Sequence, residues 1–385
     1  MNILYSALDQ QVPGTKGGSI HVQSVAEGLA ALGNDVHVLT RRGPGGFPAA
    51  PRVWWHDMAP PLGRPQLRWM RAGAVARLAR EIGANAIIER YYNFGGEGVR
   101  AAKRLGVPVM LEVNAPVVDY PGSPKRRLDQ ALLVEPMRRW REWQCGAADL
   151  IVTPIARIVP RLVERSRVIE LEWGADTDLF RPGVAGTARF EKEAGQVTAV
   201  FAGAFRAWHG AARLVEAIGV LRERGERRLQ AVLIGDGPEF ERVRQMAARL
   251  DGVTLTGGIS HVEMPAQLSA ADIGVAPFDV DAHAPLSLGF YWSPLKVFEY
   301  MASGLPVVAP RIERLARIAR DGQEALLYDP RDPCGLADCL VRLLDPALRQ
   351  RLGTAGRERV VREFSWAAHC AQLDAALRKV CACGC

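Results

Sequence analysis

A lysine and a glutamate, Lys296 and Glu299, open a short helix inside the stretch Asp279–Pro310, DVDAHAPLSLGFYWSPLKVFEYMASGLPVVAP. Before them runs a polar, Pro- and Gly-broken loop that ends at Ser293-Pro294. After them Gly304 and Pro306 lead into the apolar run Val307–Ala309. Loop, helix, glycine and strand make one unit of an α/β sheet, where ligands bind at strand ends and helix N-termini. Backbone N–H groups on the first turn suit a diphosphate, and Glu299 can accept hydrogen bonds from sugar hydroxyls. An ordinary capped helix with a solvated glutamate would look the same over these residues alone.

A second glycine turn stands near the N-terminus. Gly17 and Gly18 precede a helix whose one face carries Val22, Val25, Leu29 and Leu32. Two glycines at a helix start let a phosphate or sugar come close to the backbone, and they also simply close a tight turn. That turn lacks Gly-x-Gly-x-x-Gly, and the looser Gly96-x-Gly98-x-x-Ala101 follows Arg90-Tyr-Tyr-Asn-Phe94 instead of a strand end, so no dinucleotide fingerprint is assigned. Asp279-Val-Asp281 has the spacing of a metal clamp but reads as a solvated turn, and no metal site is expected.

The elements that must hold these residues alternate strand and helix. Asn2–Ala7 reads as a strand and Asp9–Gly18 as a loop; strands follow at Asp35–Thr40, Ala86–Glu89, Pro108–Val113, Ala148–Thr153 and Val168–Leu171. One long helical region is expected over about Leu128–Gly146, and Pro182–Gln196 reads as a linker. A second series runs through Val197–Ala202, Ala231–Ile234, Val253–Leu255 and Ile273–Pro277, each entering a glycine- or polar-rich loop. Two such series predict an α/β protein of two doubly wound, Rossmann-like domains facing a cleft.

Length and composition agree with two soluble domains: 385 residues, 48% hydrophobic and 24% charged, with no apolar run of membrane-spanning length. The first residues read as a strand and not as a signal peptide. Seven scattered cysteines fit reduced thiols in a cytoplasm, and the terminal Cys-Ala-Cys-Gly-Cys reads as a frayed tail before it reads as a soft-metal site. A net charge of +7 favours anionic partners without choosing among them.

The order of these motifs resembles the family 4 retaining glycosyltransferases of the GT-B fold over nearly the whole chain. The residues that carry the likeness are Gly17-Gly18, Ala148-Asp149-Leu-Ile-Val-Thr153, Gly203-Ala-Phe-Arg-Ala-Trp-His-Gly210, Leu233-Ile-Gly-Asp-Gly-Pro-Glu239 and Ser293–Val308. The resemblance implies residues 1–180 with helix 366–385 as an acceptor-side domain and 195–365 as the nucleotide-sugar domain. It implies a UDP- or GDP-linked donor with no further cofactor. Glu299 would bind the ribose, backbone N–H groups near Leu295 and Lys296 would meet the diphosphate, and Val297 would be a further donor contact. Gly17, Gly18, Gly203 and Ile259 would complete the donor contacts. His209, with Arg206 beside it, would stand as a cation against the leaving diphosphate; a structural hydrogen bond in the Trp-His-Gly turn is the plainer use of that histidine. Asn114, where relatives often have a histidine, would orient a substrate. Retention without a metal is also implied, the leaving phosphate taking the acceptor's proton.

Two departures from the family pattern concern the donor sugar: Tyr291 stands where a glutamate is common, and Ala204 where an arginine is. The acceptor, a sugar or a lipid-linked molecule, is expected on the N-terminal domain. Arg64, Arg68 and Arg71, then Lys125-Arg126-Arg127 with Arg138, Arg139 and Arg141, stand among Trp69, Trp140 and Trp143. Such a mixture suits peripheral contact with the inner face of a membrane, although a solvated helix face accounts for it as simply. A nucleotide-sugar 2-epimerase of the same fold would want paired carboxylates and a histidine that this sequence does not assemble. A non-catalytic nucleotide or nucleic-acid binder would want an aromatic-basic recognition motif, which is absent, so no nucleic acid partner is expected.

Overall fold

Short apolar runs, each stopped by a glycine or polar turn, become parallel strands of two sheets in the computed structural model. It describes residues 1–385 except Thr15, Leu133, Glu193, Ala194, Gly384, Cys385 and the side chain of Cys383. The first unit comprises Met1–Trp173, Tyr291–Ser293 and Trp366–Cys385. Its strands β1 (Asn2–Val12), β2 (Asp35–Arg42), β3 (Val53–Asp57), β4 (Ala86–Arg90), β5 (Val109–Glu112), β6 (Leu150–Thr153) and β7 (Val168–Glu170) lie in the order β3-β2-β1-β4-β5-β6-β7. The second unit, Gly174–Phe290 with Pro294–Ser365, holds β8 (Val197–Ala202), β9 (Leu229–Ile234), β10 (Val253–Gly257), β11 (Ile273–Val275), β12 (Val307–Pro310) and β13 (Ala325–Tyr328). Their order is β10-β9-β8-β11-β12-β13. Both are doubly wound, with the order reversing beside β1 and beside β8. Helices cover the sheets, so the central strands are buried along their length, as at Val197–Ala202.

Several local expectations are corrected. β1 does not stop at Ala7: past an irregularity, Gln11 and Val12 pair with Arg41 and Arg42, so the first part of the expected Asp9–Gly18 loop, as far as Val12, is strand. Thr15 of that loop lies outside the described residues. The expected helix over Leu128–Gly146 is two helices, Pro124–Ala131 and Pro136–Ala147, and Leu133 between them is likewise outside. Glu135 takes a left-handed φ of 46° at the break, and the Asp129 carboxylate accepts the N–H groups of Met137 and Arg138 at 3.0 Å each, capping the second helix. The stretch expected to be a linker is fastened to the second unit: Val184 N–H donates to Ser269 Oγ and Arg189 N–H to Gln267 Oε1. Its residues Glu193 and Ala194 are not described, nor are Gly384 and Cys385 of the cysteine tail. Strand β3 and the helix Ala72–Glu81 match no element expected from the sequence.

The C-terminal helix Trp366–Cys383 belongs to the first unit and packs on the helix Gly17–Ala31. Cys370 sits so close to Gly28 that a Cβ there would overlap its sulfur. Cys145, Cys334, Cys339 and Cys370 are thiols outside any disulfide.

Candidate functional site

In the second unit the strand order reverses between β8 and β11, the place where an open parallel sheet takes a ligand. β8 runs into Gly203 and a loop that closes at Gly210. Gly210 has φ +76°, and a Cβ there would overlap the carbonyl oxygen of Pro277, just beyond β11, so only glycine lets the two strand ends meet. The helix Leu295–Ala302 lays its Lys296 side chain along this junction. A Cβ built on Gly203 would stand 3.0 Å from Lys296 Nζ.

Lys296 is 8% exposed, and its Nζ has no hydrogen-bond partner among the described residues. Instead it lies 3.8 Å from the centroid of the Phe201 ring and 5.3 Å from that of Phe278. Rings attract an ammonium but do not replace its hydration. Burial therefore lowers its pKa to about 7, with Glu299 opposing the shift.

In the unliganded protein the surroundings of His209 favour the neutral imidazole. Its Nδ1 is 2.8 Å from the Ala204 carbonyl oxygen, which can only accept, so Nδ1 carries the proton and Nε2 keeps its lone pair. That Nε2 is buried and unpartnered among the described residues. Burial, and then the neighbouring Lys296, pull the imidazole down to about 3, so it is neutral beside the lysine. Arg206 is exposed and lies over the Trp208 ring, 5.2 Å from its centroid. Trp208 itself stacks on His283.

On the same helix Glu299 is met by His261, whose Nε2 is 3.3 Å from Glu299 Oε1. The carboxylate raises the His261 pKa. Sequence spacing gave no hint of this pair; its only signal is that Gly257-Gly258 marks a strand end nearby. Ile259, in that same loop, is half-buried. Val297, expected among the donor contacts, is already engaged: its N–H donates to the Pro294 carbonyl at 2.7 Å and its side chain is in the core. Leu295 and Lys296 remain. Asp279 pairs with Arg213 at 3.0 Å and accepts from Ala282 N–H, while Asp281 is exposed, which is a structural turn and not a clamp.

The first unit has its own reversal between β1 and β4. Gly17 and Gly18 begin the helix there, and a Cβ on Gly18 would overlap Gln10 Oε1 and stand 3.4 Å from Arg90 Nη2. Asn114, beyond β5, accepts from Trp173 Nε1 at 3.0 Å; its Nδ2 is buried without a partner among the described residues. Behind them His21, Glu112 and His369 bring ligand-type atoms within 4.8 Å of one another. Tyr5 Oη already donates to Glu112 Oε2 at 2.5 Å, and Arg90 Nη1 lies 3.4 Å from His21 Nδ1, so a guanidinium occupies the electrostatic place of a metal cation.

Each of the two basic regions expected at the surface loses a residue to the interior. Arg68 is fully buried and bonded to Asp9 and Glu97, with Glu89 at 3.7 Å. Arg141 is buried against Asp119 and Asp129. Neither can meet a membrane. Arg126, Arg127 and Arg139 are exposed, as are Leu128, Leu132 and Val134 on the same segment. A hollow of about 340 Å³ nearby is lined mainly by Trp69, Phe94, Pro136, Met137 and Trp140.

Comparison with known proteins agrees with both halves. Residues 15–171 match the family described as Glycosyltransferase Family 4, and residues 196–346 that described as Glycosyl transferases group 1. The chain is 30% identical over 314 residues to the MMP alpha-(1->4)-mannosyltransferase of Mycolicibacterium hassiacum, covering 74% of this chain and 69% of that one. It is 27% identical to the phosphatidyl-myo-inositol mannosyltransferase of Mycobacterium leprae, over 94% and 92% of the two chains. Among solved structures it is similar to sucrose-phosphate synthase from Thermosynechococcus elongatus, with a TM-score of 0.76, 22% identity and 99% of each chain covered. Two parallel-sheet units, family matches that fall one on each, and full-length relatives that transfer sugars make this chain a GT-B glycosyltransferase belonging to glycosyltransferase family 4.

Proposed function

We propose that this glycosyltransferase moves a hexosyl group, with retention of anomeric configuration and without a metal or other cofactor, from a UDP- or GDP-linked sugar to a sugar, lipid-linked or small-molecule acceptor. The observation that supports the donor side is the buried Lys296 Nζ, unpartnered among the described residues, beside Gly203 at the strand-order reversal and on a helix that also carries Glu299. The N–H groups of Leu295 and Lys296, with Lys296 Nζ, take the diphosphate. The Glu299 carboxylate takes the ribose hydroxyls, Gly203 allows close approach, and Ile259 packs against the nucleoside. Arg206, exposed on the loop, adds charge to the field around the phosphates, and His209 orients the donor as a neutral group. In the first unit Gly17 and Gly18 offer a helix start to a phosphate or sugar oxygen, and Asn114 orients a substrate hydroxyl through its unpartnered amide.

Chemically, the anomeric C–O bond to the diphosphate breaks while a bond to the acceptor oxygen forms on the same face. A leaving phosphoryl oxygen receives the acceptor's proton. Positive charge at Lys296 counts most here, because the leaving group's charge grows toward the transition state. The protein supplies that charge itself, which is the support for a metal-free step.

The relatives' names speak for mannosyl donors and for acceptors with inositol or lipid parts. A cytoplasmic enzyme in peripheral contact with an anionic membrane face suits the exposed Arg126, Arg127, Arg139 and the apolar Leu128, Leu132, Val134. The test is turnover with a panel of UDP- and GDP-hexoses, followed by release of nucleoside diphosphate and by the anomeric configuration of the product in NMR spectra. No turnover with any donor, or an inverted product, would defeat the reading.

A further inference from the structure

A buried lysine with no counter-charge in contact raises the question of when it becomes charged. Every group that faces Lys296 bears on the answer. On its own helix Glu299 is the nearest carboxylate, and it is shared with His261. From the loop after β8 come the neutral His209 and the backbone of Gly203, with Arg206 further out and exposed. His283, from the loop after β11, stacks on Trp208 and helps to lower the His209 pKa. The rest of the surface against Nζ is the faces of Phe201 and Phe278. Among the described residues none of these hydrogen-bonds to Nζ, so only the two ring faces and the Glu299 carboxylate oppose the effect of its burial.

We propose that binding of the nucleoside diphosphate takes up one proton at Lys296, which enters the complex neutral at mildly alkaline pH and leaves it as the ammonium paired with the diphosphate, while His209 remains neutral throughout. This rests on the reading of this junction as the diphosphate seat. A solvent proton moves to Nζ as the phosphate oxygens arrive, and no covalent bond between heavy atoms changes. Two adjacent negative charges favour the charged lysine and raise its pKa on binding. His209 is the weaker candidate for that proton because its Nδ1–H is committed to Ala204 and its burial holds it lower still. It is a positioning residue, with Nε2 left as an acceptor toward the lysine ammonium or a sugar hydroxyl.

The experiment is titration calorimetry of the full chain with UDP and with GDP at pH 8, in buffers of different ionisation enthalpy. The expected result is an observed enthalpy that varies with the buffer, with a slope near one proton taken up per nucleotide. Wild-type affinity should also weaken about tenfold per pH unit above roughly pH 7, as one-proton linkage requires. Lys296→Met should abolish the slope, and His209→Gln should keep it. The proposal is overturned if the wild type binds nucleotide with no buffer dependence at pH 8, or if His209→Gln removes the slope while Lys296→Met keeps it. Should Lys296→Met fail to fold, the wild-type pH dependence of affinity decides alone. Absence of any UDP or GDP binding by the wild type would instead defeat the donor reading, and this inference with it.

Discussion

Lys296 stands at the junction of β8 and β11 at a cost to the fold, and that cost can be measured apart from any ligand. Its folded pKa of about 7 is below the ~10.4 of an unfolded lysine. Between those values the unfolded chain holds a proton that the folded one lacks, so stability rises with pH through this window and the penalty is complete below its lower edge. Lys296→Met should therefore unfold at higher urea than the wild type at pH 7. The gap should be a few kcal/mol, since each tenfold change in proton affinity is worth about 1.4 kcal/mol, and it should close toward pH 10. Equal stabilities across that range would mean the side chain is better hydrated than its burial suggests. Glu299 differs, because it is only partly buried and its partner His261 comes from another loop. Glu299→Ala should leave the unfolding temperature nearly unchanged while weakening UDP or GDP binding roughly tenfold to a hundredfold, the worth of charge-assisted hydrogen bonds of ~1.5–3 kcal/mol. Calorimetry showing unchanged affinity would take the ribose away from Glu299. The glutamate could be singled out from its place on a short helix between loop and strand. His261 could not, since no local period relates a residue of a helix to one of a separate loop.

At the scale of elements, what the sequence makes legible is whatever repeats within a few residues. Apolar runs ended by glycine located most of the strands. β3 escaped because Val53-Trp-Trp-His-Asp57 is short and alternates poorly. The basic face was misjudged for a physical reason: Pro65–Arg71 is a 3-10 helix, so Arg64, Arg68 and Arg71 do not keep the spacing of an α-helical stripe. The carboxylates that hold Arg68 come from Asp9, Glu89 and Glu97, far away in sequence. Membrane contact should accordingly depend on Arg126→Gln with Arg127→Gln, which should weaken binding to anionic lipid vesicles roughly tenfold or more at ~1 kcal/mol per residue. Sedimentation of the double variant with vesicles as efficiently as the wild type would remove that contact. Arg68→Met should act on the fold instead, since it strands buried carboxylates at a cost of about 3–5 kcal/mol. The glycine junction can be tested in the same way. Gly210→Ala and Gly33→Ala both place alanine at positive φ, a cost of about 1–2 kcal/mol, but only Gly210 also meets a carbonyl oxygen. Urea unfolding should show Gly210→Ala as clearly the more damaging of the two.

For the whole molecule, the chain's path gives two units with separate cores, and the C-terminal helix returns to the first after β13 and its following helices in the second. Cys370, Leu373 and Leu377 on that helix are buried. Ligand binding and core damage should thus be felt in different places. Saturating UDP or GDP stabilises whatever it binds by mass action, about 2.7 kcal/mol at a hundred times the Kd. Hydrogen exchange should slow in the loop Gly203–Gly210, the helix Leu295–Ala302 and the strands of the second unit. Leu373→Ala removes a core side chain, typically about 2–5 kcal/mol, and should speed exchange in the helix Gly17–Ala31 and in β1. Protection by nucleotide should survive that substitution, because none of the residues assigned to the diphosphate lies on the C-terminal helix. If Leu373→Ala instead deprotected the second unit to the same degree, the two units would unfold as one cooperative body, and the separate cores would describe geometry without describing stability.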